Sequence, residues 1–118
     1  MTRVRFFMRD GKLCGAEFLG HSGYAEAGND VVCAAVSMAV TMAESYLSDV
    51  RGHKVAADVR GGDEPRIVLR LASEDDAAKA DCDGILRAVK AALEGVAEEY
   101  GTYLRVSVCE ESAGTTNL

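Results

Sequence analysis

Residues 3 to 19 read RVRFFMRDGKLCGAEFL, and the way this stretch doubles back decides the architecture. Val4, Phe6 and Met8 alternate with Arg3, Arg5 and Phe7, the two-residue period of a strand that turns one face to a core. Asp10-Gly11 suits the positive φ angles of a tight hairpin turn, and Leu13 to Leu19 supplies the returning strand. A second hairpin is predicted farther along. Lys54 to Arg60 and Arg66 to Leu71 place Val55, Ala57, Val59 and Ile67, Leu69, Leu71 on single faces, with Gly61-Gly62-Asp63-Glu64 turning between them.

Between the hairpins, Ser22 to Asp30 is small, polar and aperiodic, with glycines at 23 and 28, and predicts a loop. Asn29 or Asp30 can cap a helix from Val31 to Val50, whose core stripe is Val32, Val36, Ala39, Ala43, Leu47 and Val50; Gly52 ends it. Ser73 with Asp76 three residues later resembles a capping box, and the acidic Glu74-Asp75-Asp76 suits the positive end of a helix dipole. This second helix runs to Tyr100, burying Ile85, Leu86, Val89, Leu93, Val96 and Ala97 before Gly101. A last strand, Tyr103 to Glu110, puts Leu104, Val106 and Val108 inward, and Ser112 to Leu118 reads as a frayed tail. The order is ββαββαβ: a two-layer α+β fold, its sheet mostly antiparallel and both helices on one face. The other face, holding Phe7 and Tyr103, is expected to meet solvent or a second subunit.

The 118 residues are expected to form a single domain, 1–118, around one core. With 48% apolar and 27% charged residues the composition is globular, no stretch approaches the ~20 apolar residues of a membrane span, and the alternating start lacks a signal-peptide core. A cytoplasmic location without membrane contact follows as an expectation. Cys14, Cys33, Cys82 and Cys109 stand singly, which argues against a zinc knuckle, a redox CxxC pair or a disulfide framework. Only His21 and His53 are available as imidazole ligands, and neither has a cluster around it, so no metal and no cofactor is expected. The net charge of -6 opposes direct nucleic-acid binding and favours a basic protein partner.

The candidate chemistry lies where a strand delivers His21, a glycine-bearing loop follows, and Cys33 stands in the expected first turn of a helix. Unpaired amides at a helix start favour thiolate over thiol and can serve as oxyanion donors. On the helical wheel Cys33 shares a row with Ser37, Thr41, Glu44 and Ser48, at the edge of the polar face; a small cysteine buried among valines and alanines is the competing description. His21, taken alone, also suits a solvated strand end. His53 lies past the far end of the helix, about 30 Å from Cys33 at 1.5 Å per residue, and cannot be its base. Asp30 can cap the helix or orient an imidazole, and Ser37, one turn from Cys33, can touch the sulfur or simply meet water. Cys82 and Cys14, the latter expected to share a strand face with Phe18, look structural, and Cys109 points outward.

Gly20-His21 followed by Gly28-Asn29-Asp30-Val31-Val32-Cys33-Ala34-Ala35-Val36-Ser37, with residues 22 to 32 separating histidine from cysteine, resembles the ribosomal-processing cysteine protease family, Prp. The likeness extends over essentially the whole chain. It implies Cys33 as nucleophile, His21 as general base, Asp30 and Ser37 in support, and Ser22, Gly23, Tyr24, Gly28 and Asn29 in a loop that orders around substrate. It further implies a homodimer, and a substrate that is the N-terminal extension of large-subunit ribosomal protein twenty-seven, cut after a hydrophobic, aromatic-containing motif to mature the ribosome. Ser22 stands where the family often has alanine. The alternatives are a noncatalytic ribosome-assembly or peptide-binding module using the same loop, and, less favoured for want of a resolving cysteine, a thiol redox sensor.

Overall fold

The computed structural model describes residues 1–20 and 27–111, with residues 27–30 in backbone only. Strands β1 (Thr2–Arg9) and β2 (Lys12–Leu19) form the first hairpin, followed by helix α1 (Ala27–Ser45), which continues into a wider π turn over Tyr46–Val50. Strands β3 (Val55–Arg60) and β4 (Arg66–Leu71) form the second hairpin, and α2 (Asp76–Glu99) leads to β5 (Leu104–Glu110). The sheet order is β3-β4-β2-β1-β5. Three neighbouring pairs are antiparallel, and only β1 with β5 is parallel. The expected α+β architecture and element order are therefore those of the molecule. The expected tail, Ser112 to Leu118, lies outside the described residues.

The first turn closes as its sequence requires, with positive φ at both Asp10 (52°) and Gly11 (78°). Leu13 N–H donates to Asp83 Oδ1 of α2 (2.8 Å), and Arg87 donates to Gly11 O (2.9 Å), so the second helix clasps the hairpin. Val4, Phe6, Ala16 and Phe18 face the helices, where they bury Val32, Val36, Ala39, Ala43 and Leu47 of the α1 segment and Leu86, Val89 and Leu93 of α2. Gly15 has no room for a side chain, because a Cβ there would stand 2.6 Å from Leu69 O of β4.

Several expectations change. A bulge shifts the register from Phe7 opposite Gly15 to Met8 opposite Leu13, leaving Cys14 over. That extra residue turns Leu13 into the core and sends Cys14 to the opposite face from Phe18, where its Sγ donates to Phe7 O at 3.5 Å. Val50 is 69% exposed rather than part of the stripe, because the π turn rotates the last residues of the segment away. Val108 is also exposed, on the edge strand β5. The capping box does not form: Asp75 is the cap residue, without a side-chain cap bond, and Ser73 Oγ accepts from Asp75 N–H at 3.2 Å. Val31–Val50 does reach the length and, at 1.5, the mean hydropathy of a membrane span. Its alanines, valines and methionines produce that value, and one stripe of them packs into the core.

The face away from the helices differs most from expectation. Phe7 and Val68 are each only 2% exposed there. The Arg70 guanidinium lies 4.2 Å from the Phe7 ring centroid and that of Arg5 lies at 5.7 Å. Glu17 bridges Arg5 (2.7 Å) and Arg66 (2.6 Å), while Glu111 takes two bonds from Arg70 (2.9 and 2.7 Å) and pairs with Arg9 (3.5 Å). The arginines act as lids, their stems and planar heads covering apolar atoms that solvent would otherwise meet. Tyr103 likewise packs against the core cluster instead of standing on that face.

Candidate active site

Cys33 is the seventh helical residue counted from Ala27. The helix begins four residues before Val31 (31 − 27 = 4), so Cys33 is not in the first turn, and its amide belongs to regular helix instead of being free for an oxyanion. The field of unpaired amides fades within the first turn and does not carry to this sulfur. The same shift places Asn29 and Asp30 inside the helix and overturns their expected place as caps. The wheel position holds: Cys33 is half-buried, and Ser37, Thr41, Glu44 and Ser48 are exposed.

Cys33 opens onto a cleft of about 180 Å³. Helix α1 lines it with Cys33, Val36 and Ser37, and the end of β2 with Phe18 and Gly20. Ile67 of β4 and Pro65 just before that strand close it, as does Thr2 of β1. Gly20 is fixed at this rim by its N–H, which donates to Pro65 O at 2.9 Å. It is the last described residue before His21. His21, Ser22, Gly23 and Tyr24 lie outside the described residues, as do the side chains of Asn29 and Asp30. Cys33 and Ser37, which the sequence singled out, are thus brought together on one wall. Thr2, Pro65 and Ile67 were missed, though Thr2 carried a signal: it is a polar residue on the inward period of Val4 and Phe6.

The remaining candidates separate cleanly. His53 Nε2 is 2.8 Å from Asp81 Oδ2 of α2, beyond the π turn, so it is engaged far from Cys33 along the helix. That hydrogen bond, and then the one from Arg51 at 2.8 Å, hold the Asp81 carboxyl below its usual range. Cys82 is sealed in the core, and burial pushes its thiol up to about 12. A larger cleft, about 370 Å³, lies between the first hairpin turn and the start of α2, with Arg9, Lys12, Cys14 and Lys79 on its walls. Its cysteine is a poor nucleophile, because burial and then the Glu111 carboxylate raise the Cys14 thiol above its ordinary value.

The geometry can be set against known proteins. Among curated proteins none matches this sequence. Protein SMU.848 from Streptococcus mutans superposes with a TM-score of 0.83 at 22% identity, over 94% of this chain and 96% of that one. The essential ribosomal processing protease Prp from S. aureus, solved with a substrate peptide, superposes at 0.69 and 22% identity, over 92% of this chain and all of that one. The same S. aureus protein with a covalently linked product peptide gives 0.71 at 21% identity and the same coverage. At these identities the structures establish a shared fold. The family model described as cysteine protease Prp matches residues 1–105, nearly the whole length of the chain, and this protein belongs to that family.

Proposed function

We propose that this protein is a cysteine endopeptidase that removes the N-terminal extension of large-subunit ribosomal protein twenty-seven, with Cys33 as nucleophile and His21 as general base. The observation that carries this reading is the cleft: a half-buried cysteine opens onto an apolar pocket whose rim is Gly20, the residue that leads into His21. The Cys33 thiolate attacks the scissile carbonyl carbon, His21 delivers the thiol proton to the leaving amine, and water, deprotonated by His21, releases the acyl group and restores the thiol. With the helix-start field acting only on earlier residues, the imidazole rather than the dipole has to favour the thiolate. Asp30 and Ser37 support this pair, and Ser22, Gly23 and Tyr24 serve as the substrate loop, whereas Gly28 and Asn29, expected in that loop, stand in α1. That a relative is solved with a covalently linked product peptide agrees with a nucleophilic route.

An acidic enzyme with a net charge of -6 suits a basic ribosomal protein, and four free cysteines suit the reducing cytoplasm. A homodimer is supported by Val31, Met38 and Met42, which are 45%, 64% and 48% exposed along α1 at helical spacing. Met38→Glu is expected to convert a dimer to monomer in sedimentation; a monomeric parent protein would remove this part of the reading.

The central test is a peptide spanning the junction of the extension, incubated with parent protein, Cys33→Ala and His21→Ala. Parent protein cuts it once, and each variant loses at least about a thousandfold in kcat/KM. Cleavage by Cys33→Ala at the parent rate would eliminate the assigned nucleophile.

A further inference from the structure

The formal charge of -6 is an average over two unlike regions of the molecule. Every arginine in the five strands stands on the sheet face that no helix covers among the described residues. The register brings four of them into one row across the sheet: Arg60 pairs with Arg66, Arg66 with Leu19, Leu19 with Arg3, and Arg3 with Arg105. Residues paired in this way share a face, so the four guanidinium groups project to the same side. At about 4.8 Å between strands the row extends roughly 19 Å. The acids of this face lie beneath the arginines. The side chains of Glu17 and Glu111 are 5% and 8% exposed, whereas those of Arg5 and Arg60 are 48% and 68% exposed. Glu17 and Glu111 each hold two arginines and so neutralise one positive charge of two. Arg60 pairs with the exposed Asp58 at 3.7 Å. Arg3 and Arg105 are exposed, and their side chains make no hydrogen bond or ion pair among the described residues. Solvent therefore meets a layer of guanidinium groups whose charge is only partly compensated.

We infer that this face is a docking surface for the sugar-phosphate backbone of folded RNA. The guanidinium fork offers paired donors that match phosphate oxygens, and a duplex presents one charge per ~1.7 Å of its axis, so the row meets several phosphates at once. A membrane surface is a poorer match, because the exposed large apolar side chains of the strands, Val59 and Val108, alternate onto the other face and leave nothing here to insert among lipids. Single strands are held by stacking on aromatic rings, and Phe7, the aromatic residue of these strands on this face, is sealed. No helix or ribbon protrudes to enter a B-form major groove, whereas the wide, shallow minor groove of A-form RNA offers phosphates and 2′-hydroxyls to a flat surface. Recognition of this kind reads backbone and shape without sequence preference. The inference is independent of the role of Cys33. Leu19 precedes Gly20, and Arg66 stands between Pro65 and Ile67, yet these row residues face away from the cleft, so RNA on one side leaves it open on the other.

Binding is measured by fluorescence anisotropy with the full chain and a labelled RNA hairpin whose stem has about 16 base pairs. Parent protein is expected to bind with a micromolar Kd at about 50 mM salt and to weaken as salt is raised, with a slope of about -3 on logarithmic axes. Arg3→Gln combined with Arg105→Gln removes two exposed side chains without partners. It should leave the melting temperature and the cleavage of free peptide at parent values, weaken RNA binding at least about tenfold and reduce the size of the slope by about 2. Arg60→Gln, at the opposite end of the row, should reduce it by about 1. Cys33→Ala should bind RNA as the parent does. No binding at about 50 mM salt, or binding that these arginine substitutions leave unchanged, overturns the inference and leaves the protease reading standing. Tighter binding to a DNA duplex of the same sequence, to phosphatidylglycerol vesicles or to polyglutamate than to the RNA hairpin also overturns it. RNA binding that the double variant loses supports it even where parent protein cuts no peptide.

Discussion

The two faces of the sheet obey the same alternation and are finished in opposite ways. Toward the helices, apolar side chains of the sheet and of both helices fill the space, apart from the cleft that Cys33 lines. On the other face no helix is present among the described residues, yet Phe7 and Val68 are as buried as core residues: Arg5 and Arg70 lie over Phe7, and Glu17 and Glu111 hold these arginines and Arg66. One face is dry and incompletely filled; the other is charged and closely tied. In this molecule the dense charge network closes one face, and the gap in an apolar wall on the other holds the candidate site.

The sharpest way to break that comparison is a pair of cysteine variants. Cys33→Ala should remove at least about a thousandfold of peptide cleavage. Cys14→Ala, on the charged face, should leave kcat/KM within about twofold. Comparable losses from both would mean that the charged face takes part in the reaction. Next in size, Phe7→Ala should cost about 3 kcal/mol in urea unfolding, since a sealed aromatic is lost from beneath two guanidinium groups. A loss near zero would show that the arginines collapse into the space and that Phe7 is surface in all but accessibility.

A smaller effect concerns acid. Hydrogen bonding from Arg70 holds the Glu111 carboxyl below its usual range, just as His53 and Arg51 hold Asp81. A depressed carboxyl contributes stability that is fully present above its unfolded-state pKa and is lost as pH falls through the lower folded-state value. The urea midpoint should therefore stay level near neutrality and decline from about pH 5 downward. Glu111→Gln should flatten that decline while lowering stability at pH 7. An identical acid slope in Glu111→Gln would show that the network on the charged face is not what acid dissolves.

Legibility followed how local each signal was. Alternation in residues 3 to 19 and 54 to 71 revealed both hairpins, because side chains on one face have to share an environment. The bulge at Cys14 was hidden, since a single residue left over changes pairing without disturbing composition. Phe7 was misjudged because its cover comes from β1 and β4 side chains and from Glu111, which lies 104 residues away in sequence (111 − 7). The π turn that displaces Val50, and the early start of α1 at Ala27, left no mark in hydrophobic period. At the site, Cys33 and Ser37 could be read from one helical turn. Thr2, Pro65 and Ile67 come from strands remote in sequence and meet only when β1, β2 and β4 align.

The parallel pairing of β1 with β5 also bears on synthesis at the ribosome. Strand β1 keeps an open edge until the chain has been made as far as Leu104–Glu110 and that segment has cleared the exit tunnel. Closing that pairing joins residues about a hundred positions apart, Thr2 with Leu104, a slow step by topology. The arginine lid over Phe7 waits equally long, because Glu111 directly follows β5. The edge of β1 is therefore aggregation-prone until Leu104–Glu110 has paired with it.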